Sequence, residues 1–429
     1  MLDLMLILVL IVLSLFYGVQ RLVNYTTKNL PPGPKEWPVV GILFEFDILT
    51  LHLKLYDWTT KYGDIFQFDL LGKTFVSLNS SEVLREAFNQ EPNATVTANR
   101  PPLFLGKYVL ENADVVFAQD NAVTRRRKLG YQLLRAYGEG LSCRESQIKE
   151  NIISVKELIR SNEYKNIDPS DIVEEFLLST VEVLKEDKDN KGIYHTLKDV
   201  VEVRDDDGKQ WFTQENTRNL LVNFVAAGLL STRGTIMSMI QLLAKKPELQ
   251  ISLQREVDNV IGSDREPSLA DRRSCHLTEA FIIESMRYIS LVPLAVFHAA
   301  SEDVTISGYT IKKNTIIIPN IWTIHHSEKE FDDPFLFKPE RFLDDKGQLL
   351  PSNDPVRKRV LAFGIGKRSC IGEVFARSRM FLFIATLMQL ATVIEPDGKS
   401  LPDLVPTEML QKTFLQPQPF EVRFKLRSK

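Results

Sequence analysis

The sequence predicts a mainly α-helical fold with small β sheets, carried as a single domain behind an N-terminal transmembrane anchor. Three observations predict it: an uncharged apolar run from Leu4 to Val19, a series of amphipathic runs between Asn121 and Asp258, and short alternating segments on either side of that middle. With 44% hydrophobic residues over 429 positions, the chain can bury a large core. Lys and Arg number 53 against 56 Asp and Glu, a net charge of −3. That balance argues against a basic nucleic-acid surface, and no nucleic-acid partner is expected.

The run Leu4–Val19 (LMLILVLIVLSLFYGV) is just long enough to enter a bilayer as a helix. A secretory signal peptide is the alternative, but Asp3 and no Lys or Arg precede the run, and a good small-x-small cleavage site is lacking. Arg21 and Lys28 follow it, so the positive-inside rule leaves the body in the cytosol and Met1 in the lumen. Residues 1–20 therefore read as a signal anchor, 21–41 as a polar and Pro-rich hinge, and 42–429 as the domain. In the hinge, Leu30-Pro31-Pro32-Gly33-Pro34 and Trp37-Pro38 fix φ and remove backbone donors, which makes a stiff, non-helical spacer.

Leu51–Tyr62 has helical apolar spacing. After Gly63 and Asp64, IFQFDLLG and KTFVSLN alternate and predict a two-stranded hairpin. Asn79-Ser80-Ser81-Glu82 is a cap signal that opens another helix. Amphipathic runs at Arg125–Tyr137, Ser146–Ser161, Pro169–Leu184 and Thr217–Leu243 form a helical middle, broken by the polar loop Lys185–Gly192. Leu277–Tyr288 and Glu373–Leu390 are helical; Val292–His298, Val304–Pro319 and Phe420–Phe424 read as strands. No internal repeat or low-complexity block is present.

Cys143, Cys275 and Cys370 are widely separated and form no Cys-x-x-Cys pair, which argues against a disulfide framework or a structural zinc site. Cys370 stands apart by its context. It closes the loop Phe363-Gly364-Ile365-Gly366-Lys367-Arg368-Ser369-Cys370-Ile371-Gly372 and precedes a helical run, where N-terminal backbone dipoles favour a thiolate suited to an iron ligand. Gly366 and Gly372 let the backbone approach a flat cofactor, Phe363 offers an aromatic face, and Arg368 can pair with a carboxylate. An ordinary buried cysteine is the commoner fate of a lone thiol, but it leaves the rest of this segment unexplained.

This decapeptide resembles the haem-binding loop F-x-x-G-x-R-x-C-x-G of the cytochrome P-450 family, matching all five specified positions. Upstream, Glu284-Ser285-Met286-Arg287 matches the family's E-x-x-R on a helix, where an i, i+3 ion pair is natural. Pro339-Glu340-Arg341-Phe342 is similar to its P-E-R-F. The resemblance implies a buried network of Glu284, Arg287 and Arg341 with a structural role. It also places His298 at a propionate-binding position and Arg127, a cofactor-binding residue, on a helix crossing the haem edge, although Val123 stands where the family has the tryptophan of W-x-x-x-R. Pro293–Ser301, Trp322–Glu330 and Cys370–Glu373 look most like the microsomal steroid 17α-hydroxylase/17,20-lyase group and neighbouring xenobiotic-metabolising members.

Two departures stand out. The family's distal helix carries (A/G)-G-x-(D/E)-T-(T/S), whose acid and alcohol deliver protons during oxygen activation. Here Ala227-Gly228-Leu229-Leu230-Ser231-Thr232 keeps hydroxyls at Ser231 and Thr232, the expected catalytic residues, but puts leucine where the carboxylate belongs. The second departure is length. After Leu184 the chain passes almost at once to His195–Asp206, so the domain is shortened around 185–195 and most of the two helices that roof the family's pocket have no counterpart. An exon-skipped isoform, an incomplete gene model and a decayed paralogue are all compatible with this.

The resemblance implies a haem-thiolate monooxygenase of the endoplasmic reticulum membrane, single-pass with a cytosolic catalytic domain. It implies haem b ligated by Cys370, a lipophilic, steroid-like substrate, and NADPH electrons arriving through a cytochrome reductase, with a cytochrome b-type protein as a further donor. The rival expectation is a non-catalytic haem-binding membrane protein, to which Leu230 and the missing roof point.

Overall fold

A computed structural model describes residues 29–110, 114–119, 123–136, 141–182, 212–411 and 414–427, with Gly208 and positions 11, 12, 15 and 18 of the first twenty. Those four positions are helical; the rest of the expected anchor and the polar loop Lys185–Gly192 lie outside the described residues. The helices are α1 (Leu51–Tyr62), α2 (Ser81–Asn89), α3 (Asn93–Val96), α4 (Val123–Ala136), α5 (Leu141–Ser161), α6 (Ser170–Glu182), α7 (Gln214–Lys245), α8 (Pro247–Val260), α9 (His276–Ile289), α10 (Ile321–His325), α11 (Pro355–Lys358) and α12 (Glu373–Leu390). The strands are β1 (Ile65–Leu70), β2 (Lys73–Leu78), β3 (His298–Ala299), β4 (Val304–Ile306), β5 (Tyr309–Ile311), β6 (Ile316–Pro319), β7 (Ala391–Ile394), β8 (Leu410–Gln411), β9 (Leu415–Gln416) and β10 (Arg423–Leu426). Helices dominate and the sheets are small, as the sequence predicts.

The chain divides into two units, and its path passes from the first to the second between Ser369 and Cys370. The first holds Met1–Leu103, Val292–Asp332 and Phe363–Ser369. Its sheet runs β1-β2-β6-β3, with β1 and β2 antiparallel from Ile65 opposite Leu78 to Leu70 opposite Lys73, and β6 parallel to β2. One face of α1 buries Leu51, Leu55 and Trp58 against Phe66 and Phe68 of β1 and Ile318 of β6. Trp58 meets Phe66 and Phe68 edge-on, the arrangement that ring quadrupoles favour. Ser80 caps α2, its side chain accepting the N–H of Val83.

The second unit holds Phe104–Leu291, Asp333–Ala362 and Cys370–Lys429. Here α7 packs with α6, α8, α9 and α12, and its last three turns, from Gly234 to Ala244, are buried throughout. Among the described residues α7 is long and apolar enough to cross a membrane by length and composition, with a third of its most apolar stretch buried inside the protein. Gly234 is required there: a Cβ would fall 2.8 Å from Leu291 Cδ1 and 2.7 Å from Gln416 Nε2.

Three expectations shift. Of the expected strand Val292–His298 only His298 pairs, and the ladder runs on to Ala299 beyond it. Residues 292–297 turn instead, with Ala295 at φ +49 and its N–H on the Val292 carbonyl. The C-terminal strand begins at Arg423 rather than Phe420, because the ladder with β7 starts there and Val422 bridges to Ile167. The distal helix starts three residues early, at Gln214, since Thr213 and Asn216 close a capping box.

Candidate active site

In the second unit, Glu284 and Arg287 lie one turn apart on α9, and burial leaves their charges only each other and nearby polar groups. Arg287 donates from Nε and Nη2 to the two carboxylate oxygens of Glu284, 2.7 Å each, and from Nη1 to the Pro334 carbonyl at 2.8 Å. Glu284 Oε1 also accepts from Arg341 Nε at 3.2 Å and from the Lys338 N–H at 2.9 Å. The structure thus brings Glu284, Arg287 and Arg341 into one network, with the first two side chains wholly inaccessible.

Cys370 precedes α12, for which Gly372 is the N-cap. The residue is exposed to solvent, while the protein around the thiol is enough to desolvate it. That burial pushes the thiol pKa up. The Gly372 N–H and the charge of Arg127 pull it down, and Glu373 pushes it up. A helix terminus contributes about 0.3–1 kcal/mol toward an anion beside it, and a metal cation bound in place of the proton adds to that.

Arg127 sits on α4 in the basic run 125–128. Arg125 and Lys128 face solvent, whereas Arg126 is buried and Arg127 is half-buried. The run is therefore not a plain solvated face. Arg127 Nη1 donates to the Val115 carbonyl at 3.3 Å. Burial lowers the pKa of its guanidinium, while Tyr131 and Cys370 raise it. A few residues on, Gly130 lets α4 close on the chain next to the cysteine: its Cβ would meet Ile371 Cδ1 at 3.2 Å and Phe224 of α7 at 3.6 Å.

The first unit gathers donors on the stretch Thr97–Arg100. His298 Nδ1 bonds the Thr97 carbonyl at 2.8 Å, and its ring lies 4.3 Å from that of Phe88. Because a carbonyl only accepts, Nδ1 carries the hydrogen. Arg368 Nε donates to the Ala98 carbonyl at 2.9 Å. Arg100, which the sequence reading did not single out, is buried and donates from Nη1 to the carbonyls of Val296 and Phe297 at 2.7 and 3.0 Å. The sequence signal for it was slight: an arginine before two prolines. Gly366, with φ +75, is required for a reason other than cofactor approach, since a Cβ would fall 2.2 Å from the Phe88 carbonyl oxygen. At Gly372 a Cβ would make an ordinary 3.9 Å contact with the Cys370 sulfur. Phe363 is half-buried at the start of the loop.

On α7, Ser231 donates its hydroxyl proton to the Ala227 carbonyl at 2.5 Å, the i−4 bond usual for helical serines. Thr232 is buried, and Leu230 is 51% exposed. A family model described as Cytochrome P-450 matches residues 31–185 and 171–424, nearly the whole body of the chain.

The chain belongs to the cytochrome P-450 family. Bos taurus cytochrome P-450 2U1 is 27% identical, with 92% of this chain and 90% of the relative covered. Limanda limanda cytochrome P-450 1A1 is 27% identical over 87% of each. Rattus norvegicus cytochrome P-450 2J3 is 28% identical over 87% of this chain and 88% of its own. The protein is accordingly a haem-thiolate monooxygenase, an oxidoreductase whose family uses haem with a cysteine thiolate on the iron and electrons supplied by a reductase.

The residues of this cytochrome P-450 fit haem. Cys370 carries a free thiol on a solvent-exposed residue next to the N-cap of α12, the kind of ligand that haem iron takes. Arg100, His298 and Arg368 supply the kind of fixed donors that propionate carboxylates need, all anchored on backbone carbonyls. When bound, haem supplies oxygen activation, with the thiolate donating electron density to the iron.

Proposed function

We propose that this cytochrome P-450 inserts one oxygen atom from O2 into a lipophilic, steroid-like substrate, using electrons from NADPH passed through NADPH-cytochrome reductase, with a cytochrome b-type protein as a further donor. The observation that carries the site assignment is the free thiol of Cys370, on a solvent-exposed residue at the head of α12, with the charge of Arg127 acting on it. In this reading Cys370 is the iron ligand. Arg127, Arg368 and His298, joined by Arg100, hold the propionates, while Phe363 and Gly372 border the ring. Ser231 and Thr232 move protons on the distal side, and Glu284, Arg287 and Arg341 fix the core beneath. Steroid-like chemistry rests on the likeness around Pro293–Ser301 and Trp322–Glu330.

The domain is read as running from 42 to 429, behind an anchor at 1–20 and a hinge at 21–41, with its pocket roof shortened around 185–195. Two observations support the shortening. The family match comes in two pieces that overlap at 171–185, and the alignment with the 2U1 relative extends over 494 positions, more than the 429 residues this chain has. Single-pass residence in the endoplasmic reticulum membrane is supported by the apolar run Leu4–Val19. It is also supported by exposed apolar side chains soon after it: Trp37, Phe44, Ile48 and Leu49, with Trp37 and Phe44 packed edge-on at 5.9 Å.

The test is the spectrum of the reduced, CO-bound protein. A red-shifted Soret band of thiolate-ligated haem is expected, absent in Cys370→Ala and unchanged in Cys143→Ala and Cys275→Ala. Retention of the band in Cys370→Ala overturns the ligand assignment. NADPH oxidation with reductase and a steroid, measured against oxygenated product, tests the substrate class.

A further inference from the structure

Asp114 is fully buried, at 0% exposure, although no step of the reaction as read above uses it. Its Oδ1 accepts the backbone N–H groups of Val116 at 2.5 Å and Phe117 at 2.7 Å, so one carboxylate oxygen bends residues 114–117 back on themselves. Among the described residues Oδ2 has no hydrogen-bond partner, and the hydrogen bonds the side chain makes to them serve the bend.

The bend fixes Val115, and both backbone groups of Val115 reach helices. Its carbonyl accepts from Arg127 Nη1 on α4 at 3.3 Å, and its N–H donates to Asn223 Oδ1 on α7 at 3.4 Å. Arg126, the buried neighbour of Arg127, offsets the charge of Asp114. A segment that stands between α4 and α7 is thus folded by one side chain and touches the guanidinium whose charge acts on Cys370.

We propose that Asp114 is the positioning residue for Arg127: by folding residues 114–117 it presents the Val115 carbonyl to one arm of the guanidinium and so keeps Arg127 directed to the haem side. The role rests on the reading of Arg127 as a haem-binding residue. It needs an acceptor oxygen at position 114, not a charge, so asparagine serves and alanine does not.

The experiment measures haem release from the full-length, haem-loaded protein to an excess of a haem-scavenging globin. The variants are Asp114→Ala, Asp114→Asn, Arg127→Ala and the double variant Asp114→Ala/Arg127→Ala. Amide hydrogen exchange at Val116 and Phe117 is followed in the same proteins. Asp114→Ala is expected to speed release about tenfold, the scale of one hydrogen bond to a charged group, and to expose both amides. Asp114→Asn is expected to stay within about twofold and keep them protected. In the double variant, loss of Asp114 adds nothing to loss of Arg127, because the first acts through the second.

Accelerations that multiply in the double variant overturn the proposal, as does an Asp114→Asn as fast as Asp114→Ala. If Asp114→Ala does not accumulate folded, Asp114→Asn decides alone, with near-normal release supporting the role and tenfold release overturning it. An unmodified chain that takes up no haem overturns the haem reading of Arg127 and this role with it. A chain that loads normally while the two substitutions act independently overturns only the role of Asp114.

Discussion

Arg287 spans the carboxylate of Glu284 with two 2.7 Å hydrogen bonds, one to each oxygen, in a place where neither side chain meets solvent. A buried pair of this kind adds little over apolar residues of the same shape, but breaking it leaves an uncompensated charge. Arg287→Met is expected to lower stability by about 3–5 kcal/mol, read as a fall in the denaturant midpoint at unchanged slope. Glu284→Gln keeps the shape, strands the guanidinium and should cost a similar amount. A loss below about 1 kcal/mol in both variants would show that the network is dispensable to the core.

Gly366→Ala tests the seat of the cysteine loop. The added methyl meets the Phe88 carbonyl and must also adopt a positive φ, so the loop has to lift from α2. Lys367 pairs with Glu91 at 2.8 Å and Arg368 bonds Ala98, and both contacts lengthen if it does. The expected outcome is a loss of about 2–4 kcal/mol in stability with reduced haem content at equal protein. Full haem retention with an unaltered melting temperature would contradict the packing role of this glycine.

His52 gives a pH dependence whose sign can be worked out. Burial holds its pKa at about 4, against 6.5 in its ordinary state, and among the described residues Nε2, beside Trp322, has no hydrogen-bond partner. The folded state therefore favours the neutral ring. Its contribution is complete above about pH 6.5 and is lost as pH falls from there toward about 4, by up to ~3 kcal/mol. His52→Phe keeps an aromatic ring against Trp322 and removes this part of the acid sensitivity. The check is the stability difference between the two proteins at pH 7.5 and pH 5. A difference that does not change with pH would exclude His52 as a contributor.

In the reading proposed above, Leu230 takes the place of the family's proton-delivering acid, beside Ser231, whose hydroxyl proton is engaged on Ala227. Under reductase-driven turnover, low coupling is expected, with peroxide released in excess of product. Leu230→Glu should raise product per NADPH oxidised severalfold, the scale of a partial general-acid contribution, and leave the CO spectrum unchanged. Because Leu230 is half exposed, the added carboxylate carries little desolvation cost. Peroxide release that is already small in the unmodified protein, or unaltered in the variant, would dismiss the proton-relay reading of this position.

By itself the sequence determined what repeats locally along the chain or is written in a contiguous motif. The 3.6-residue period placed α1, α9 and α12 within a residue or so, period-2 alternation placed the β1–β2 hairpin, and the loop ending at Cys370 named the family's ligand. Glu284, Arg287 and Arg341 were legible because their motifs are specific in order, although nothing local says that three distant charges share one buried network. Only the tertiary structure decided which two of the four cations at 125–128 turn inward, that Gly366 answers to the Phe88 carbonyl, and that burial pushes the Cys370 thiol pKa up. It also brought out Arg100 and Asp114, residues with no motif around them. The reason is physical: hydrogen-bond period and rotamer preference act between near neighbours, whereas desolvation and charge compensation depend on whichever distant segment packs against a side chain.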